Sequence, residues 1–370
     1  MASEDKPPFR ADHVGSLLRP ADLLEARAKC GEGSIANEPL REQLREVQER
    51  CIREVVARQE SLGLAVVTDG EFRRDFWHID FLDALEGVDA VPGEPLVGFH
   101  GQEQPPNLRV SGKIRRAAPI FVEHFKFLAS AARAMPKITI PAPAMLYHRT
   151  GRAAISDKAY PRLEDMWSDA AAAYREEIAD LAAAGCRYLQ VDDVSFAFLC
   201  DPAYRDAFRR RGEDPDRLLL TYVEAINDSI AGRPGDMTVA LHTCRGNFRS
   251  TWVAQGGYEP VADVLFNQVN VDAYFLEFDT ERAGGFEPLR YLPKHKKAVL
   301  GLISSKDPRL EKRDTLMRRI DEATRYADVQ NLCLSPQCGF SSSFHGNKLT
   351  QDDQWRKLEL VLEVASRVWG

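Results

Sequence analysis

The chain has 370 residues, a net charge of −7 and 44% hydrophobic residues, which are ordinary values for a globular enzyme. The negative charge argues against a nucleic-acid or anionic-membrane surface, and no stretch approaches the roughly 18 apolar residues that a membrane span needs. The seven cysteines are odd in number and irregularly spaced, so we expect reduced thiols rather than a disulfide framework.

The chain begins with a polar segment, residues 1–10, which lacks the apolar core of a secretory signal and is predicted to be a flexible end of a cytoplasmic protein. Apolar residues at helical spacing then predict a helix over residues 43–62, ended by Gly63. The same spacing predicts another over residues 163–184, ended by Gly185. Helical and strand-like segments alternate through most of the sequence, which is typical of βα units around a parallel sheet.

Eight short apolar runs predict the strands of that sheet. Nearly continuous apolar runs are what strands buried on both faces require. The runs are Val14 and residues 64–68, 138–140, 188–191, 239–241, 274–276, 299–303 and 332–334. They predict an α/β fold, a single (β/α)8 barrel over residues 1–370. Residues 87–137, which carry Pro and Gly and are too long for a simple loop, are predicted to be an inserted hairpin or lid after the second strand.

Polar side chains follow the apolar runs, at the strand ends where barrels place their active sites. His242 and Cys244 lie two residues apart, so on an extended chain they point the same way and could form half of a zinc site. A lone His-x-Cys is more often structural. Glu277 and Cys338, each following a later strand, could complete the ligand set, whereas Cys333 lies inside an apolar run and is expected to pack.

Two acidic pairs also follow predicted strands, Asp69 with Glu71 and Asp192 with Asp193. Each pair could simply cap a helix or a turn. Alternatively, the carboxylates bind a substrate ammonium while Ser16 and nearby backbone amides bind an anionic end. The aromatic stretch at residues 76–78 could likewise be a binding or gating cluster or a loop packed on the barrel.

Five segments, in this order, resemble the short, single-barrel homologues of cobalamin-independent methionine synthase. The resemblance covers nearly the whole chain, and several ordered motifs are far more specific than any one. The segments are residues 10–20 (RADHVGSLLRP), 68–74 (TDGEFRR), 190–193 (QVDD), 242–247 (HTCRGN) and 335–340 (SPQCGF).

The resemblance implies a catalytic zinc and a homocysteine-like substrate whose thiol enters the metal sphere. The implied zinc ligands are His242, Cys244, Glu277 and Cys338. The amino-acid end of the substrate would be held by Ser16, Glu71 and Asp192, with Gly15 and Asp193 beside them, and Glu71 and Asp192 would be the catalytic carboxylates.

Three departures from the family pattern bear on the alkyl donor. The full-length enzymes have two barrels, the first of which helps to bind polyglutamylated folate, and this chain has room only for the catalytic barrel. After the seventh strand, residues 301–306 (GLISSK) replace the family's proton-donating histidine, so protonation would pass through Lys306 or a bound water. Finally, Asp193-Val194 replaces the family's Glu-Pro. A donor other than methylfolate is therefore expected.

The sequence predicts a zinc-dependent transferase that activates a small thiol as a zinc thiolate for methyl or alkyl transfer. Its partners would be that thiol and an alkyl donor, with no nucleic acid and no membrane, and a homo-oligomer is left open. One alternative keeps the thiol and uses an epoxide or another non-folate electrophile. An alternative of a different class is a non-catalytic zinc- or thiol-binding protein.

Overall fold

The computed structural model describes residues 6–31, 38–93 and 106–370. The strands in these ranges are β1 (Val66–Val67), β2 (Glu86–Val91), β3 (Asn107–Arg115), β4 (Met135–Pro136), β5 (Ile138–Pro141), β6 (Tyr188–Asp193), β7 (Thr238–Thr243), β8 (Ala273–Glu277), β9 (Lys297–Ile303) and β10 (Leu332–Pro336).

The helices are α1 (Ala21–Gly31), α2 (Glu38–Leu62), α3 (Ile79–Leu82), α4 (Val122–Ala131), α5 (Leu163–Ala183), α6 (Ser195–Cys200), α7 (Pro202–Arg210), α8 (Pro215–Ser229), α9 (Ala262–Gln268), α10 (Arg313–Ala323) and α11 (Gln351–Trp369). None of the helices in the described ranges is both long and apolar enough to cross a lipid bilayer.

The strands close into a parallel barrel. Strands β5 to β10 form one sheet in sequence order, and β1 pairs in parallel with β4, which runs on into β5. A parallel bridge between Ala11 and Leu334 joins the segment before α1 to β10. The Thr68 hydroxyl, just after β1, donates to the Gly15 carbonyl at 2.6 Å and closes the ring on its other side. The predicted (β/α)8 barrel is therefore confirmed. Seven of the predicted runs coincide with strands, whereas Val14 lies in the bridged segment and is in no strand.

The two predicted helices and the insertion are also present. Helix α2 begins at Glu38, ahead of the predicted start at residue 43, and α5 ends at Ala183. Strands β2 and β3 pair antiparallel as the predicted hairpin, and residues 94–105 between them lie outside the described ranges. Of the predicted flexible end, residues 1–5 are not described, whereas the Arg10 guanidinium donates to the carbonyls of residues 330 and 332.

A buried polar network connects the segment before α1, which contains Asp12, to Lys137 just before β5 and to β6 inside the barrel. The Lys137 ammonium donates to Asp12 Oδ1 at 2.8 Å and to Gln190 Oε1 at 3.1 Å. Tyr188 donates its hydroxyl to the other Asp12 oxygen at 2.8 Å. Burial lowers the pKa of Lys137, and the Asp12 carboxylate opposes that effect. The ion pair therefore compensates two charges that have no access to solvent.

We predict that Lys137→Met lowers the free energy of unfolding by about 3–5 kcal/mol, because it leaves the Asp12 carboxylate buried without its cation. Urea unfolding measures this loss. Lys126→Met is the matched control, since the Lys126 ammonium is exposed and pairs with exposed Glu123. Its expected cost is below about 1 kcal/mol. Equal losses in the two variants would contradict a stabilising role for the buried pair.

Candidate functional site

His242, Cys244 and Cys338 meet at the carboxyl ends of the barrel strands. His242 lies near the end of β7, Cys244 follows that strand, and Cys338 follows β10. One ligand atom from each side chain lies within 4.8 Å of the others, and all three residues are buried. Among the described residues, this is the group of His, Cys, Asp and Glu side chains whose spacing suits a metal ion.

The two sulfurs lie 3.4 Å apart and share one hydrogen bond. The Cys244 thiol lowers the pKa of Cys338 well below its usual value, and His242 adds to that effect although burial opposes it. Hydrogen bonding to Cys338, together with burial, raises the pKa of Cys244. The pair therefore favours a thiolate at Cys338 held by a thiol at Cys244.

Asp192 orients the His242 imidazole. Its Oδ1 lies 3.0 Å from His242 Nδ1 and also accepts from Gln190 Nε2 at 2.7 Å. Burial lowers the pKa of His242, but Asp192 and Cys338 outweigh burial and raise it to about 10. His242 Nε2 is buried and has no hydrogen-bond partner among the described residues.

This arrangement fits a zinc ion. Zinc prefers sulfur and imidazole ligands, and catalytic sites commonly supply three of them from the protein. A metal-binding histidine typically gives its second ring nitrogen to a carboxylate, which is the relation of His242 to Asp192. His242 Nε2, Cys244 and Cys338 are thus suitable donors.

Glu277, the predicted fourth ligand, lies outside the 4.8 Å cluster. It is buried at the end of β8, and its Oε2 accepts from the Arg245 backbone amide at 3.1 Å. Its Oε1 accepts from Arg282 and lies 3.6 Å from the Lys306 ammonium. Burial raises the pKa of Glu277, but Lys306 and Arg282 outweigh it and lower that pKa. The structure therefore shows this carboxylate paired with cations, and its role as a metal ligand stays a prediction.

A cavity adjoins the cluster and contains most of the predicted substrate residues. Ser16, Glu71, Asp192 and Asp193 line it together with His242 and Cys244. Gly15 precedes Ser16, and its carbonyl accepts the Thr68 hydrogen bond that closes the barrel.

Glu71 offers an unused carboxylate oxygen in this cavity. Its backbone has φ of 60°, a left-handed conformation that is uncommon for a residue with a side chain. Its Oε1 accepts from the Thr139 hydroxyl at 3.0 Å and lies 3.8 Å from Arg74, whereas its Oε2 is buried without a partner among the described residues. Burial raises the pKa of Glu71 to about 7, although Arg74 opposes the shift. The side chain is therefore suited to receive a substrate cation.

The carboxylates of Asp193 and Asp69 accept hydrogen bonds from nearby backbone amides. Asp193 accepts from the Ser195 hydroxyl at 2.9 Å and from the Phe196 amide at 3.0 Å, at the first turn of α6. Asp69 accepts from the Glu71 amide at 2.9 Å. Of the two alternatives drawn from the sequence, the capping role describes the observed hydrogen bonds of both residues, although Asp193 also lines the cavity.

Several supporting residues were missed from the sequence. Gln190 holds Asp192 and lies two residues before it on β6, so strand alternation could have indicated it. Thr139 holds Glu71, and Arg282 holds Glu277, but nothing in the sequence around either residue signals that contact. These contacts arise only when separate strands and loops meet.

We predict that Glu71→Gln removes a pH-dependent penalty on folding. The folded-state pKa of about 7 lies above the usual 4.5, so the protonated carboxyl stabilises the fold below pH 4.5. That stabilisation is lost as pH rises to about 7. The unfolding free energy of the variant, relative to wild type, should therefore rise by about 3 kcal/mol between these pH values and stay level above them. Urea unfolding across pH measures this difference, with exposed Glu86→Gln as the control; a flat difference for Glu71→Gln would contradict the shift.

Comparisons with known sequences identify the family of the chain. Residues 9–366 match the family model described as the catalytic domain of cobalamin-independent synthase. The uncharacterized protein YxjH of Bacillus subtilis is 44% identical over 98% of this chain and 96% of its own length. The 5-methyltetrahydropteroyltriglutamate–homocysteine methyltransferase of Ralstonia pickettii is 25% identical over 89% of this chain, which spans only 39% of that longer protein.

Solved structures show the same architecture. A Listeria monocytogenes protein provisionally assigned as a vitamin-B12 independent methionine synthase has 36% identity and a TM-score of 0.77, with 98% of both chains covered. A B12-independent methionine synthase from Shewanella sp. W3-18-1, in complex with selenomethionine, has 21% identity and a TM-score of 0.71, with 97% of both chains covered. The chain therefore belongs to the family of cobalamin-independent methionine synthase catalytic domains.

Proposed function

We propose that this chain is a zinc-dependent transferase that methylates or alkylates a small thiol of the homocysteine type. The observation that carries the proposal is the buried cluster of His242, Cys244 and Cys338 beside a cavity that also contains Glu71. Family membership supports methyl transfer as the reaction, and the Ralstonia relative is named for homocysteine as its acceptor.

The zinc would be held by His242, Cys244 and Cys338, with Glu277 as the proposed fourth ligand. The unpartnered His242 Nε2 and the adjacent sulfurs support this assignment. Bound zinc lowers the pKa of a coordinating thiol, which keeps its nucleophilic form populated at neutral pH. Asp192 contributes by fixing the His242 ring through Nδ1.

The amino-acid end of the substrate would be bound by the residues that line the cavity. The unpartnered Glu71 Oε2 is positioned to accept from the substrate ammonium, and Asp192 adds a second negative charge nearby. Ser16 and the backbone beside Gly15 would receive the carboxylate. Holding both ends in this way orients the substrate sulfur, which lowers the entropic part of the barrier to alkylation.

We predict about one zinc per wild-type chain and strong loss of zinc in Cys244→Ser and Cys338→Ser, because each removes a sulfur ligand. Asp192→Asn should weaken zinc binding about 10–100-fold, since the amide orients His242 less well. Cys333→Ser is the matched control because Cys333 is buried in β10 outside the cluster. Chelator competition measures each affinity. Wild-type zinc content in both cysteine variants would rule out this ligand set.

We predict that the zinc-loaded protein alkylates homocysteine and that a small activated methyl donor reacts faster than methylfolate. Folate leaves as an amine that needs a proton, and the segment where the family carries its histidine contains Ser305. The Ser305 hydroxyl donates to Gln337 at 3.0 Å and lies 2.9 Å from the Gly339 carbonyl, so it is engaged with the protein. Single-turnover product formation, followed by mass spectrometry with Cys338→Ser as the control, measures this preference.

Three results would distinguish the proposed function from its alternatives. Fast reaction with methylfolate would overturn the donor preference and favour ordinary methionine synthesis. Reaction with an epoxide and with no methyl donor would favour the alternative electrophile. Thiol binding without product from any donor would identify a non-catalytic binding protein and contradict the proposed function.

A further inference from the structure

A second group of polar side chains, His78, His148 and Arg149, lines the same cavity as the sulfur cluster. His78 precedes α3, and the other two follow a short 3-10 helix, Pro143–Leu146, after β5. None of the three takes part in the metal cluster or in the carboxylate contacts described above. They form what we term the basic wall of the cavity.

The basic wall has polar atoms that the protein does not satisfy. Both ring nitrogens of His148, His78 Nδ1 and Arg149 Nη1 are buried and have no hydrogen-bond partner among the described residues. His78 and His148 are only 4% and 2% exposed. An unpaired buried polar group is costly, so several of them around one cavity make it suited to bind a polar ligand.

The positive charge of Arg149 is not neutralised locally. No Asp or Glu in the described ranges forms an ion pair with its guanidinium. Burial lowers the pKa of Arg149 to about 10, which leaves it charged at neutral pH. Burial, aided by the Arg149 charge, also lowers the pKa of His78 and of His148 well below the usual value, so both imidazoles are neutral.

The surroundings of the basic wall are apolar. His148 packs edge-on against Phe198 with ring centres 5.4 Å apart, and Trp77 lies 4.5 Å from His78 between ring centres. Met145 lines the cavity beside them. Apolar walls exclude water and strengthen the interaction of a buried cation with an anion. They also supply contact area for the uncharged part of a ligand.

The cavity therefore has two kinds of polar lining. Glu71 and Asp192 suit a cationic group, whereas Arg149 suits an anionic one, and all three line the same space. Under the proposed function, two molecules must meet there, the thiol and the alkyl donor. The acidic residues are assigned to the ammonium of the thiol, which leaves the basic wall for the donor.

We infer that Arg149, supported by His78 and His148, binds an anionic group of the alkyl donor and so determines donor specificity. The inference rests on the proposed function. It identifies the donor as a molecule that joins an uncharged reactive carbon centre to a negatively charged group. A donor with a sulfonium or quaternary ammonium centre and no anionic group would place its charge against Arg149 and is disfavoured.

The test uses three flat probes of similar shape and different charge, namely benzoate, benzamide and benzamidine. Ligand-observed NMR gives their dissociation constants with the zinc-loaded protein, in the absence and in the presence of saturating homocysteine. With homocysteine at the acidic residues, we expect benzoate to bind at least about 10-fold more tightly than benzamidine, because only benzoate can form a charge-assisted hydrogen bond with Arg149. Benzoate should still bind when homocysteine is present.

Substitutions then assign the charge preference to one residue. Arg149→Met should weaken benzoate binding about 10-fold and leave benzamide unchanged, and Arg149→Lys should retain part of the preference for benzoate. Arg209→Met is the control, since Arg209 is exposed and pairs with Asp206 on the surface of α7. Thermal unfolding of each variant verifies that it is folded before its binding is compared.

Several outcomes would overturn the inference. With saturating homocysteine present, benzamidine binding as tightly as benzoate would do so, as would unchanged benzoate affinity in a folded Arg149→Met. Competitive displacement of benzoate by homocysteine would mean that Arg149 binds the carboxylate of the thiol substrate. The probe measurements require no turnover, so they test the role of Arg149 independently of catalysis. Absence of zinc or of thiol alkylation in the wild type would instead count against the proposed function.

Discussion

The register of β6 against β7 is the constraint on which the site depends. It places Asp192 directly beside His242 at the ends of neighbouring parallel strands. The carboxylate can therefore hold Nδ1 at 3.0 Å and leave Nε2 without a partner among the described residues. Because side chains alternate along a strand, a slip of one residue would turn one partner away from the other. The hydrogen bonds between β6 and β7 thus determine which ring nitrogen of His242 is bound by the carboxylate.

Two glycines allow the neighbouring strands and loops to approach closely enough to complete this arrangement. Gly301 on β9 lies beside Glu277, and a Cβ built there would be 2.6 Å from Gln337 Cα. At Gly339, a Cβ would be 1.9 Å from Ser16 Oγ. Real Cβ atoms do not tolerate such distances. A larger residue at Gly301 would push away the backbone before Cys338, and one at Gly339 would displace the Ser16 hydroxyl.

The features of the fold and site that depend on local sequence patterns could be predicted from the sequence. Continuous apolar runs identified the barrel strands. The polar residues that follow them included the three members of the candidate metal cluster, because parallel strands end at one rim. The start of α2 was set too late because its first turns are rich in charged residues and carry little apolar periodicity. The partners of Glu277 and the unpaired state of Arg149 depend on loops that meet only in the folded chain. Residue spacing in the sequence does not predict contacts between such distant loops.

Under the proposed function, opposite charges within one cavity would also hold the two substrates in different places. A cationic group directed toward Arg149, or an anionic group directed toward Glu71, would be desolvated against a like charge. Specificity can come from such repulsion as much as from attraction. If the ammonium of the thiol is held at Glu71, the same molecule cannot turn round without placing that ammonium against the basic wall. The distribution of charge would then keep the thiol sulfur beside the cysteines while the donor occupies the remaining space.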